Sequence, residues 1–504
     1  MKNLIPLNKR VLTLLLVFVV GVNFHCHAQS NYQEPYRPQF HFTPAAHWMN
    51  DPNGLIYFNG KYHLFYQYYP EATVWGPMHW GHAVSTDLLH WKHLPIALYP
   101  DSLGWIFSGS AIIDSENTAG FGKNAMIAIF TYHNDEIWQH GDKKPQSQGI
   151  AYSLDEGLTW TKYTQNPVLK HSGEQDFRDP KVFWHKDSSK WIMTLATGDR
   201  IKLFSSSNLK NWQFESEFKP EEKTELGVWE CPDLFQMEDE KSGAKKWILI
   251  VNHGDKAPNG GSGGRYFVGD FDGKTFTKIQ DPIWLDYGTD FYAAVTFSNL
   301  PSNRHVLLGW MSNWQYAVKV PTDLWRSAMT LPRELKLISS NGTYVLNQSI
   351  VSEFNSISQP YFEKASITND FSKEYNLQNS QISFDVDAKD NQQFQLAFSN
   401  KLGEEFVITF ENGLLKTNRL KSGKVDFSDS FAAKIQEFQL TDKLKNISLI
   451  IDQSSVEILV NDGAYSMTNL FFPTEGYARF TISNLNNTKI TNLKINTLES
   501  VWSN

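Results

Sequence analysis

The chain has 504 residues, of which 41% are hydrophobic, with a formal net charge of -8 and a mean hydropathy of -0.41. That length exceeds one ordinary core and predicts at least two domains. The composition excludes a disordered chain and a helical membrane protein. The acidic balance, with no Lys/Arg-rich run, argues against a nucleic-acid partner.

At the N-terminus, Lys2, Lys9 and Arg10 flank the start of an apolar run, Val11–Val22, and Ala28 ends the short stretch that follows. A basic start, an apolar stretch too short to span a bilayer comfortably and a small residue form a secretory signal. Residues 1–28 are expected to be that signal. The mature protein is then exported, periplasmic or extracellular, with no membrane span. Cys26 would suit a lipid anchor, but His25 before it is a poor lipoprotein-signal residue, so a lipid-anchored form is the lesser expectation. The only two cysteines are Cys26 and Cys231. Signal removal leaves one, which rules out an intramolecular disulfide and fits a bacterial exported protein held by its core.

Between residues 29 and 345 the chain repeats itself loosely. Ser85, Ser153 and Ser206 each open a turn that leads to a tryptophan (Trp91, Trp160, Trp212) and then to a strand. A fainter copy starts at Phe271. Apolar hairpins lie between these turns, and a fifth hairpin starts at Phe291. Repeats of roughly 50–70 residues worth about four strands each predict propeller blades, since one blade cannot bury both of its faces alone. Five are expected. From about Ser352 to 504 the character changes. Of 17 tryptophans, only Trp502 lies beyond Trp325. Segments such as QISFDVDA, EFVITFEN and SVEILVND alternate apolar and polar residues at period two, which predicts a β-sandwich. The expected fold is all-β.

Three acidic motifs precede blade hairpins: MNDPNG with Asp51, FRDPKV with Asp179 and WECPDLF with Glu230. Proline holds the preceding residue extended and tolerates the first strand position. Matching starts of inner strands converge at one end of a propeller axis, so the three carboxylates are expected in one pocket. An isolated Asp-Pro is usually no more than a turn or strand cap. Crowded carboxylates, however, keep one group protonated near neutral pH, and glycoside hydrolysis needs one ionised and one protonated carboxyl flanking a sugar bond. His41, His47, His63, His79 and His82 are scattered, with no HExxH or CxxC spacing, so neither metal nor cofactor is expected. There is no GxSxG elbow or phosphate-binding loop.

The motifs WMNDPNG, FRDPKVFW and ECPDLF resemble those of glycoside hydrolase family 32, the β-fructofuranosidases. FYQ at 65–67, FSGSA at 107–111, DYGTDFYAAVTF at 286–297, GWMSNWQYA at 309–317 and WRSAMTLPREL at 325–335 continue the resemblance. It implies a five-bladed propeller followed by a sandwich, and an enzyme acting on a fructan or fructo-oligosaccharide. It also implies Asp51 as nucleophile, Glu230 as general acid/base and Asp179 as transition-state stabiliser. Arg178, Asn50, Gln67, Trp75, Phe107, Ser108 and Trp310 would shape the fructose pocket, with Tyr292 a weaker member. Trp48 and Trp314 are further expected walls, and Cys231 is expected to pack under Glu230. The branch resembled is that of levanases and exo-inulinases, which release terminal fructose. Endo-levanase or fructosyltransferase action would use the same residues. A non-catalytic fructan-binding module would not need all three carboxylates. A five-bladed arabinan-cleaving enzyme would lack WMNDPNG. The sequence leaves oligomeric state and the choice between β-2,6 and β-2,1 bonds open.

Overall fold

A computed structural model describes residues 32–502 apart from 142, 143, 172, 222–225, 341 and 388–391. The expected signal peptide and Cys26 lie outside the described residues. The described chain is a five-bladed β-propeller followed by a β-sandwich.

The five blades follow one another in chain order, and each inner strand opens its blade. The inner strands are His47–Phe58, Trp105–Asp114, Phe177–His185, Trp229–Glu238 and Tyr292–Thr296. Each blade continues outward through antiparallel neighbours. Each inner strand touches the next around the ring, and the fifth touches the first. Backbone bonds seal that joint. Trp325–Arg326 pairs in parallel with His47–Trp48, Tyr57 N–H donates to Ser298 O at 3.0 Å, and Ser298 N–H donates to Leu55 O at 2.8 Å.

The repeated serine-to-tryptophan segments are the turns leading into outer strands. Ser85, Ser153 and Ser206 each donate through Oγ to the Asp or Asn two residues on. Trp91, Trp160 and Trp212 each donate through Nε1 to the carbonyl three residues back, all at 3.0 Å. Side-chain bonds of this kind close a turn locally, which explains why the pattern recurs when the strands around it diverge.

After the outer strand Thr343–Ile350, a short 3-10 segment (Ser352–Ile357) leads into two six-stranded antiparallel sheets. Their alternating inner faces form one core, with Phe384, Phe398, Phe410 and Ile458 at its centre. The sandwich is joined to the propeller by buried ions. Arg333, in the fifth blade, donates to Glu457 Oε2 through Nε (3.0 Å) and Nη2 (2.5 Å) and to Asp286 Oδ2 at 3.1 Å. Arg419, from the sandwich, reaches Asp290 at 2.6 Å. His41 bridges Asp452 and Glu457 at 2.7 and 3.0 Å. Burial alone would depress this imidazole, but the two carboxylates hold it up at about 9.

Candidate active site

Every inner strand carries a one-residue bulge near its start. The register shifts fall between Met49 and Pro52, Ile106 and Gly109, Arg178 and Lys181, Glu230 and Asp233, and Tyr292 and Val295. Bulges re-aim side chains, and here all five do so at one end of the axis. Local sequence permits them. Asp179 (φ 63°), Cys231 (φ 44°) and Ala293 (φ 52°) take the left-handed conformation at their bulges, which is costly for a non-glycine residue. Gly109 is required at its bulge, because a Cβ there would lie 2.0 Å from Ile129 O.

The bulges bring one polar side chain from each blade together: Asp51, Ser108, Asp179, Glu230 and Tyr292. The motifs suggest matching positions for the carboxylates, but the structure staggers them. Counted from the register shifts, Glu230 immediately precedes its bulge, Asp179 is the first residue inside and Asp51 the second.

Asp51 is tightly held. Ser108 Oγ donates to its Oδ2 at 2.7 Å and Asn50 Nδ2 to its Oδ1 at 3.0 Å. Asn50 is oriented in turn by Trp48 Nε1, which donates to its Oδ1 at 2.8 Å. Burial and the charge of Glu230 raise the Asp51 pKa, and the bonds from Ser108 and Asn50 oppose them. Asp179 is buried and accepts the Cys231 N–H at 2.9 Å. Burial pushes its pKa up, Arg178 pulls it down, and Glu230 and Asp51 add repulsion, leaving it at about 7. Glu230 faces the opening. One oxygen accepts Arg178 Nε at 3.1 Å and Nη2 at 3.0 Å; the other accepts the Tyr292 hydroxyl. Arg178 also binds Asp176 at 2.6 Å. Three carboxyls and one guanidinium are thus gathered at one site, and burial favours the protonated forms of Asp51 and Asp179.

These groups open into a pocket of about 380 Å³ lined by Asn50, Asp51, Gln67, Trp75, Phe107, Ser108, Arg178, Asp179 and Glu230. Gln67 is anchored by donating to Asn53 Oδ1 at 2.7 Å and Ile106 O at 3.1 Å. Two expected walls are not walls. Trp48 and Trp310 are fully buried. Trp310 packs behind Trp314, ring centroids 4.8 Å apart, and Trp314 is the residue that lines the pocket. Tyr292 likewise touches the site only through Glu230. Cys231 does not sit beneath its neighbour Glu230. Its Sγ lies 3.6 Å from Asp51 Oδ2 and 3.6 Å from Asp179 Oδ2. Left-handed backbone turns it there, and burial keeps the thiol pKa well above its usual value, so it stays a neutral spacer between two carboxylates.

Sequence reasoning missed Asp176 and the rim residues His133, Asp135, Trp138, Gln139 and Gln146, which also line the pocket. His133 stacks on Phe107 at 4.3 Å with rings 6° apart. Burial lowers its pKa to about 4, so the ring stays neutral in this aromatic wall, with the Asp135 carboxylate 3.8 Å from its Nε2. Only TYH before a polar stretch signalled it.

Aromatic walls, anchored amides and clustered carboxyls suit the cleavage of a sugar acetal, and the chain is a glycoside hydrolase. Comparison with known proteins narrows this. A model of the glycosyl hydrolases family 32 N-terminal domain matches residues 41–349, and one of the family 32 C-terminal domain matches residues 351–497. The chain is 42% identical to a levanase of Bacillus subtilis, over 98% of its own length and 76% of the relative's. It is 37% identical to an extracellular exo-inulinase of Aspergillus niger, over 94% of its length and 96% of the relative's. The crystal structure of an exo-inulinase from Aspergillus awamori superposes with a TM-score of 0.86 at 34% identity, covering 94% of this chain and 100% of the other. The chain belongs to glycosyl hydrolase family 32.

Proposed function

We propose that the protein is an exported enzyme that releases terminal β-D-fructose from fructans, and from sucrose, by double displacement with retention. The observation that carries the reading is the differing environment of Asp51 and Glu230. Asp51 is fixed by two donors and points at the pocket, as a nucleophile must. Glu230 stands at the opening with 23% of its side chain exposed, where a leaving-group oxygen and later a water can reach it.

Asp51 attacks the anomeric carbon while Glu230 delivers a proton to the departing oxygen, giving a fructosyl ester on Asp51. Glu230, now a carboxylate, takes a proton from water, which cleaves the ester from the same face. Asp179 and Arg178 bind fructose hydroxyls, contacts that count most as the ring flattens toward an oxocarbenium ion. Cys231 holds Asp51 and Asp179 apart without adding charge. Extracellular relatives and the secretory N-terminal pattern support export.

Product analysis on levan, inulin and sucrose tests the reading. Fructose alone, from the first turnovers onward, is expected. A ladder of oligosaccharides from levan would mean endo action, and kestoses accumulating from concentrated sucrose would mean that transfer dominates.

A further inference from the structure

The second blade carries a segment that its strands do not need. Between Ala125–His133 and Gln146–Ser153 the chain leaves the sheet and forms a short helix, Asp135–Gln139, capped by Asn134 Oδ1, which accepts from Ile137 N–H at 3.0 Å. None of the helical residues is buried. Trp138 is 41% exposed, so it does not anchor the helix to a core. A large aromatic side chain left open at a pocket's edge usually has a ligand to cover it.

Its neighbours indicate which ligand. Trp138 lies 6.3 Å from His133, His133 stacks on Phe107, and Phe107 meets Trp75 edge-on at 6.0 Å. This aromatic wall runs from the inner-strand residues to the rim. Asp135 and Gln139 flank Trp138 on the same pocket and offer acceptors and donors for hydroxyls. The wall also has a radial order. Phe107 is on the inner strand beside Ser108, which holds Asp51. His133 ends the next strand out, paired with Trp105, and the helix lies beyond it. The volume of about 380 Å³ is in the range of pockets that hold drug-sized ligands, about 300–1,000 Å³, more than one hexose ring fills.

We infer that Trp138, with Asp135 and Gln139, forms the subsite for the sugar on the leaving side of the scissile bond, its ring stacking on that sugar's apolar C–H face. The inference rests on the fructoside-hydrolase reading. With a fructose seated against Asp51, the ring that reaches Trp138 is the next one along the chain. Trp138 is therefore a specificity-determining residue for chain substrates, at the rim of the pocket beyond the fructose seated on Asp51.

The test compares Trp138→Ala and Trp138→Phe with the wild type on the trisaccharides 1-kestose and 6-kestose and on methyl β-D-fructofuranoside, whose leaving group is too small to reach the wall. For Trp138→Ala the ratio of kcat/KM on the better kestose to that on the methyl glycoside should fall about tenfold, the cost of one lost aromatic stack, with the change chiefly in KM. Trp138→Phe should recover most of the ratio. Gln139→Ala should lower the ratio in the same direction, by a smaller factor. An unchanged ratio in Trp138→Ala, or an equal loss on both kinds of substrate, overturns the inference while leaving the enzyme reading intact. A wild type that cleaves neither kind overturns the enzyme reading itself.

Discussion

Replacing Asp179 by asparagine should destroy activity and yet stabilise the fold, with a pH dependence that identifies the cause. Asp179 is 4% exposed, and its pKa rises from 3.8 to about 7 through burial and the neighbouring carboxylates, against the pull of Arg178. A carboxyl raised in the folded state binds its proton more tightly there than in the unfolded chain. The ionised form is therefore a penalty on folding. The penalty is absent below about pH 4, grows as pH rises through the window, and is complete above about pH 7. At about 1.4 kcal/mol per pKa unit, the full shift is worth about 4 kcal/mol. Arg178 loses one opposing charge in the variant but keeps Glu230 and Asp176, which reduces the expected gain to about 2–4 kcal/mol at pH 8. The assay is urea unfolding of wild type and Asp179→Asn at pH 8 and pH 4. Higher stability of the variant at pH 8, shrinking towards zero at pH 4, is expected, and turnover should be lost at both. A variant less stable at pH 8 would refute the idea that burying these carboxylates is a cost borne for function.

Ser108→Ala removes a charge-assisted bond to Asp51 worth about 1.5–3 kcal/mol. The Asp51 pKa, already raised, then rises further, and the acid limb of the kcat/KM profile should move up by about one to two pH units. Glu230→Gln should slow cleavage of alkyl fructosides by about 100-fold or more, and spare the first step on an aryl fructoside, whose leaving group departs without a proton, while hydrolysis of the ester slows. A burst of aryl alcohol followed by slow steady turnover separates the two steps. Arg333→Met leaves Asp286 buried without its cation and Glu457 with His41 alone, so chemical denaturation should show a loss of about 3–5 kcal/mol.

The five hairpins and the sandwich strands were legible because period-two alternation and locally closed turns are short-range signals. The three carboxylates were legible because each is tied to a proline at a strand start. Their stagger was not, since a bulge depends on the partner strand, and Gly109 is required only because Ile129 O lies against it. Chain adjacency misplaced Cys231: left-handed backbone sends its thiol to Asp51 and Asp179 and not to Glu230. Trp310 and Trp314 are four residues apart and look alike in sequence, but one is core and the other wall. The helix bearing Trp138 has five residues, too few for any periodicity to mark it. The ions joining the two parts of the chain, such as Arg419 with Asp290, are 129 residues apart and have no local pattern at all.

The central claim is that Asp51 forms a bond to the sugar. Glu230→Gln mixed with an aryl β-D-fructofuranoside, quenched in acid, digested and weighed by mass spectrometry, tests it directly. One added fructosyl residue on the peptide containing Asp51, absent in the Asp51→Asn, Glu230→Gln double variant, is the predicted result. A label on another carboxylate, or turnover of the aryl fructoside by the double variant at the rate of the single, would contradict the account.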